Sequence, residues 1–533
     1  MYVPMAVGMN GMVSSGNALA SIVGLRVLME GGNAIDATVA TNAALHVTSP
    51  FVCGMGGDLF ALVYEARTGE VHGFNGSGRA PEAMTIDSVR GQGHETMPFA
   101  GALAVTVPGC VDAWVQLHER FGRASWPDLF RPAIAYAREG HPVGRGLAGA
   151  LGGGRTRFAP FRSWQQTFAP DGTTPRSGDV WRQETLAESL ERVAGEGRDG
   201  LYRGELARQI VAEIGAEGGL MTEADLAAHR GEWADPVRTT YRGHTVFETA
   251  PNSQGMTALI ALNLLDDVDL AKHGAGTPET LRYLIEAAKL AYADRDRYLT
   301  DPAFAEIPTD WLLSKSRLKG ALDGGMRAPG VRLSSAGDTT SFCVIDTEGN
   351  AVSCIQSNYF GFGSGLAVGG FGLQNRGAYF SLDPAHVNRL EPGKRTLHTI
   401  MAAMVMADER PWILFGAVGG DTQPQTHIQV LTNIIDFGMN VQDAIEAPRF
   451  VLGQGAAEWA ETRDQLWLEG RFDATVFDRL RGMGYVPNLA ASLPGRPGFG
   501  SSFGFAHGTV IDPLSGARFG GADPRWDACA IGY

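Results

Sequence analysis

The stretch GDTTSFCVIDTEGNAVSCIQSNYFGFGSG, residues 337–365, limits the fold of this chain more than any other. TSFCVID and AVSCIQS are both strand-like, and TEGN between them has turn chemistry, so the spacing predicts a β-hairpin. Pairing Asp346 with about Asn350 or Ala351 brings Ser357 close to Thr339 or Thr340. A slip of one residue turns every side chain to the other face, so the pattern predicts proximity and not register. Just before the hairpin lies KSRLKGALDGGMRAPGVRLSSAGD, residues 315–338. It is polar, glycine-bearing and poor in large apolar side chains, and it reads as an exposed, flexible connector where a chain tolerates being cut.

Two hydroxyls converging where a strand meets a connector permit two readings. Threonine is an ordinary strand residue, and Asp-Thr an ordinary strand entry. Alternatively, the Thr339 hydroxyl attacks the Asp338 carbonyl, the peptide rearranges to an ester, and water releases a new N-terminal threonine. Its α-amine then serves as base for its own hydroxyl, and an unperturbed α-amine titrates at about pH 7.7–8.0, which suits the task. Such chemistry needs donors for an oxyanion. In GAVGGD, residues 416–421, the N–H groups of Gly419 and Gly420 have no side chain to keep a ligand away. The helix predicted to follow, in TQPQTHIQVLTNIIDFG, turns its positive end toward them.

Elsewhere the pattern predicts helices over Ala18–Glu30 and Ala34–His46, a strand over Leu59–Tyr64, and a helix capped by Thr277 with Pro278 in its first turn. Helical patterns dominate Trp114–Arg230. PWILFGAVGGD reads as a buried strand, and SFGFAHGTVIDPLSGARFGGADP as a closing hairpin. A length of 533 residues allows one to three domains. The net charge of −14 and the lack of a basic run exclude a nucleic-acid or membrane-surface partner. Five cysteines without a CxxC pair suit reduced thiols in a cytoplasm. The N-terminus has neither a basic region nor an apolar core of a signal peptide, and no apolar run is long enough for a membrane span. Glycines in GFGSGLAVGGFG lack the spacing of a dinucleotide loop, EPGKRT lacks that of a phosphate loop, and no HExxH motif occurs, so no cofactor and no metal are expected.

Nine motifs in order carry a family resemblance: GGNAIDATVA (31–40), GMGGDLF (54–60), VPGCVDAW (107–114), APNSQG (250–255), GDTTSFCVIDTEGNAVS (337–353), FGSG (362–365), PGKRTLHT (392–399), GGD (419–421) and GGADPR (520–525). The chain resembles the γ-glutamyltransferase (γ-glutamyltranspeptidase) family of N-terminal-nucleophile hydrolases. It is most similar to the cytoplasmic, glutathione-hydrolase-like branch. The resemblance implies an α+β fold, a four-layer αββα sandwich built from both halves of a self-cleaved precursor. It implies a cut between Asp338 and Thr339, a large subunit 1–338 and a small subunit 339–533. Thr339 matches the nucleophile, Ser357 the helper hydroxyl, and Gly419 and Gly420 the oxyanion pair.

The amino-acid clamp departs from the family pattern. Ser77 stands where an arginine holds the substrate α-carboxylate, with Arg79 two residues on as its substitute. Tyr359 replaces an asparagine, Tyr379 replaces the acid that grips the α-amine, and His398-Thr399 replace paired serines. Arg79, Arg376, Arg395 and His398 remain to hold an acidic substrate. The reading that follows is an amidohydrolase acting on a small acidic amide or a γ-glutamyl-like compound, by hydrolysis or transfer. A true γ-glutamyltransferase or glutathione hydrolase, an enzyme cleaving a C–C acyl bond in specialised metabolism, and an unprocessed scaffold stay open beside it. The oligomeric state stays open too.

Overall fold

The computed structural model describes residues 4–323, 333, 337–453, 465–500 and 503–533. Two seven-stranded sheets face each other. The first runs, from edge to edge, Cys529–Gly532, Met12–Ser15, Asp338–Ile345, Ala351–Tyr359, Asp58–Glu65, Glu70–Gly76 and Glu232–Ala234. The second runs Ala6–Gly8, Arg518–Ala522, Ala506–Ile511, Arg410–Ala417, Ala402–Ala407, His244–Glu248 and Val237–Tyr241. Neighbouring strands in both are antiparallel.

Three apolar layers hold these sheets. Between them lie Phe60, Leu62, Cys343, Ile345, Met404 and Leu414. Alternate residues of the same strand, Phe342 and Val344, point outward to the helices Ala18–Met29 and Ala34–Thr48. The second sheet is covered by Gly255–Leu265, Pro278–Tyr298 and Gln423–Ile435. The result is the αββα sandwich, with period-2 strands serving two different cores. Hydrogen bonds also cross between the sheets: Ser353 Oγ donates to Phe415 O at 3.0 Å.

Local chemistry explains the helix starts. Asn33 caps Ala34–Thr48 by accepting from Ile35 and Asp36 N–H, while Asp36 accepts from Asn33 N–H, a reciprocal capping box. Thr277 caps Pro278–Tyr298 through Thr280 N–H. The expected hairpin is present, with Ile345 opposite Ala351 and an irregularity between Asp338 and Thr340.

Two expectations are corrected. The C-terminal hairpin, Ala506–Ile511 with Arg518–Ala522, does not close the fold. The chain goes on to Cys529–Gly532, which pairs with Met12–Ser15 in the other sheet. The stretch 315–338 is not exposed throughout: Lys315–Leu318 is a helical turn, and Leu318, Leu322 and Leu333 are buried against the second helical layer. Residues 324–332 and 334–336 of the proposed connector lie outside the described residues.

Residues on either side of position 338 interleave. Strands Asp338–Ile345 and Ala351–Tyr359 sit between Met12–Ser15 and Asp58–Glu65. A cut at that position leaves both pieces in one shared core. Among the described residues no helix is long and apolar enough to cross a membrane.

Candidate active site

The site forms at one end of the sandwich, where the strand from Asp338 begins and the strand to Ala417 ends. Thr339 is buried, as is Ser357 on the paired strand. Thr339 Oγ1 donates to Ser357 Oγ at 3.1 Å, and Ser357 Oγ donates to the Asp338 carbonyl oxygen at 2.8 Å. Tyr359 N–H also points at Ser357 Oγ, 2.8 Å away, fixing the hydroxyl. The helper hydroxyl therefore touches both the candidate nucleophile and the carbonyl it would attack. Tyr359 has φ of +75°, a left-handed conformation costly for a side chain of that size.

Gly419 and Gly420 follow the second-sheet strand with φ of +122° and +58°. A short 3₁₀ turn, Gly420–Thr422, leads into the helix Gln423–Ile435, as the sequence predicts. A methyl group placed on Gly337 would lie 2.5 Å from Gly420 N. The residues before the candidate scissile bond thus press on the glycine pair, and only glycine fits at 337. Loss of solvent pushes the Asp338 carboxyl up to about 6, against the pull of Gly361 N–H and Arg157. A cavity of about 260 Å³ opens beside this bond, lined by Gly337, Asp338, Gly419, Phe360 and Trp526.

The motif APNSQG serves as a brace. Gln254 Nε2 donates to Thr399 O at 2.6 Å and to Gly420 O at 3.0 Å, while its Oε1 accepts from Arg295 Nη1. Arg295, buried, also reaches Asp421 Oδ1 at 2.6 Å. Tyr292 Oη donates to Asp421 O.

Arg376 is the one sequence-selected cation that meets the hydroxyl pair. It lies in the turn Arg376–Tyr379, fully buried. Its Nη1 donates to Thr399 Oγ1 at 2.8 Å and its Nη2 to Ser357 Oγ at 3.4 Å. Its Nε has no hydrogen-bond partner among the described residues. The guanidinium sits 4.5 Å from the Tyr359 ring centroid and 6.0 Å from that of Tyr379, a cation–π arrangement. Tyr379 also lines a cavity of about 420 Å³ with Arg295, Asp296 and Leu397.

Three other candidates are placed differently. Arg79 reaches Asp301, Glu232 and the Gly393 carbonyl. Arg395 reaches Glu232 and the carbonyls of Ser77 and Arg230. These contacts tie both guanidiniums into a carboxylate cluster. Ser77 itself donates to Asn75 Oδ1 and Asn252 Oδ1. His398 is buried, and burial holds its pKa well below the usual value, with Arg376 adding to the effect. Ile400 N–H points at its Nδ1 and its Nε2 lies 2.9 Å from Asp58 Oδ2, so the neutral ring donates from Nε2 to that carboxylate. His398 is turned to Asp58 and not to the hydroxyl pair.

Sequence reasoning missed Asp58, Gln254, Arg295 and Gln374. Asp58 opens a strand that is apolar from Leu59 to Val63, directly opposite Ser357. That position was a readable signal.

A family model described as gamma-glutamyltranspeptidase matches residues 20–533. The glutathione hydrolase-like YwrD proenzyme of Bacillus subtilis is 41% identical over 531 residues, covering 99% of each chain. The oxamate amidohydrolase proenzyme of Klebsiella pneumoniae is 35% identical over 538 residues, again covering 99% of each. The crystal structure of cephalosporin acylase from Bacillus halodurans aligns with a TM-score of 0.91 and 38% identity, over 100% of this chain and 97% of that one.

Proposed function

The chain belongs to the gamma-glutamyltranspeptidase family of N-terminal-nucleophile hydrolases, and from that premise we propose that it is a self-cleaving amidohydrolase with Thr339 as nucleophile. The observation that carries this is the row Thr339 Oγ1, Ser357 Oγ, Asp338 O, with Gly337 pressed on Gly420.

Thr339 Oγ1 attacks the Asp338 carbonyl carbon. The new C–O bond forms as the C–N bond breaks, and the hydroxyl proton passes to the departing Thr339 nitrogen. Ser357 supports the oxygen of that carbonyl. Water then hydrolyses the ester, leaving Asp338 as a carboxylate and Thr339 with a free amine. In turnover that amine takes the hydroxyl proton, Oγ1 attacks the donor amide, and the proton goes to the leaving amine. Gly419 and Gly420 N–H groups hold the oxyanion. Water releases the acid product. Residues 1–338 and 339–533 remain joined through the interleaved sheets.

The donor is a small amide bearing a carboxylate close to its scissile carbonyl. Supporting this is Arg376, whose Nη2 is one hydrogen bond from Ser357 Oγ, itself one hydrogen bond from Thr339 Oγ1. That span suits a carboxylate within one or two bonds of the reacting carbon. Tyr359 and Tyr379 hold their rings against that guanidinium, and Tyr379 stands where the family resemblance puts the acid that grips an α-amine. A relative named for oxamate hydrolysis fits the same chemistry.

The test pairs two readouts. Wild-type protein is expected to run as two chains on a denaturing gel, and Thr339→Ala as one, with amide turnover lower by at least ~10³-fold, the scale on which removing a covalent nucleophile acts. Cleaved protein is expected to release ammonia from oxamate faster than an aniline from a γ-glutamyl anilide. Cleavage persisting in Thr339→Ala, or a preference for the anilide, contradicts the respective half.

A further inference from the structure

Arg376 raises a charge question. A buried guanidinium needs a counter-charge, yet its hydrogen bonds among the described residues go to hydroxyls. The carboxylate acting on it most strongly is Asp58, itself fully buried. Asp58 Oδ1 accepts from Gly78 N–H and Gln374 Nε2, both at 3.0 Å, and Oδ2 accepts from His398 Nε2. Gln374 lies two residues before Arg376, and His398 one residue before Thr399, which Arg376 grips. Asp58 therefore anchors both segments that hold the guanidinium.

With the pocket empty, Asp58 and Arg376 balance. A substrate carboxylate on Arg376 would leave two anions against one cation inside the protein, which is costly unless one is neutralised. We propose that seating a carboxylate on Arg376 is coupled to proton uptake by Asp58, making Asp58 the positioning and charge-balancing residue of the anion site. This rests on the acidic-donor reading above.

The surroundings assign the proton. Facing Asp58 are His398, Arg376 and, from the helix Cys110–Phe121, Cys110. Burial keeps His398 neutral and the Cys110 thiol protonated, and arginine keeps its charge. Burial, opposed by Arg376 and the N–H donors, lifts the Asp58 carboxyl to about 7. A second anion nearby raises it further. Asp58 is thus ionised in the empty site above neutrality and protonated in the filled one, so affinity for the anion falls as pH rises. The freed Thr339 amine is a second group that can change charge, the ordinary α-amine range being about pH 7.7–8.0, so the test has to separate the two.

Self-cleaved protein is titrated with oxalate, an unhydrolysable carboxylate probe, by calorimetry in phosphate and in Tris at about pH 8, and by infrared difference spectroscopy. We expect net proton uptake, a new protonated-carboxyl band, and a dissociation constant rising by up to about tenfold per pH unit above neutrality. Asp58→Asn should lose the band and flatten the part of the slope not due to the amine. Oxalate bound with no such band in the wild type overturns the proposal, and that readout needs no variant. A band that persists in Asp58→Asn also overturns it. Oxalate that fails to bind, or binds equally well to Arg376→Leu, overturns the acidic-donor reading and this proposal with it.

Discussion

Arg376 and Arg395 are both buried guanidiniums, and they differ in what they touch. Arg395 meets Glu232 and two backbone carbonyls, within a cluster that also holds Arg79 and Asp301. Arg376 meets two hydroxyls beside Thr339 and keeps Nε unbonded among the described residues. A buried cation already paired with carboxylate has its desolvation cost met inside the fold. One hydrogen-bonded only to hydroxyls, with its counter-charge on Asp58 across the site, is the one we propose takes an anion from outside. Arg295 falls between, since its ion pair with Asp421 is structural but braces Gly420.

Substitutions at the three sites separate these roles. Arg295→Leu is expected to have the largest effect, about 3–5 kcal/mol of stability, because it breaks the buried ion pair with Asp421. Self-cleavage should also slow as Gly420 loses its support, which a denaturant series and a gel time course would show. Arg376→Leu should cost about 1.5–3 kcal/mol in kcat/KM for an acidic donor, the value of a charged hydrogen bond. The loss should lie mainly in KM, and Arg376→Lys should recover part of it. Arg395→Leu should have the smallest kinetic effect, within about twofold in KM, while costing about 1–3 kcal/mol in stability. If Arg395→Leu changes KM and Arg376→Leu only melts the protein, the comparison is inverted.

The uneven legibility of the sequence has the same origin. The hairpin was readable because its turn and both strands lie within 22 residues, from Asp338 to Tyr359. So the meeting of Thr339 and Ser357 could be expected, although the irregularity between Asp338 and Thr340 could not. The glycine pair and its helix were local as well. The four candidate cations could not be ranked, because their partners come from distant strands: Asp301 and Glu232 for Arg79, Asp58 for His398. Gln254 and Arg295 were invisible for that reason. The αββα architecture came from the family resemblance. Periodicity alone gave strands and helices without their order in the sheets. It also left out Cys529–Gly532, too short to stand out from a loop.

The central claim is that the chain severs itself ahead of Thr339 and then uses that residue. Intact-mass and N-terminal sequencing of freshly purified wild-type protein addresses it most directly. The account predicts two polypeptides, 1–338 and 339–533, that stay associated under native conditions, the shorter beginning with an unblocked Thr339. An undivided chain that still turns over amides, or a cut at any other peptide bond, would contradict it.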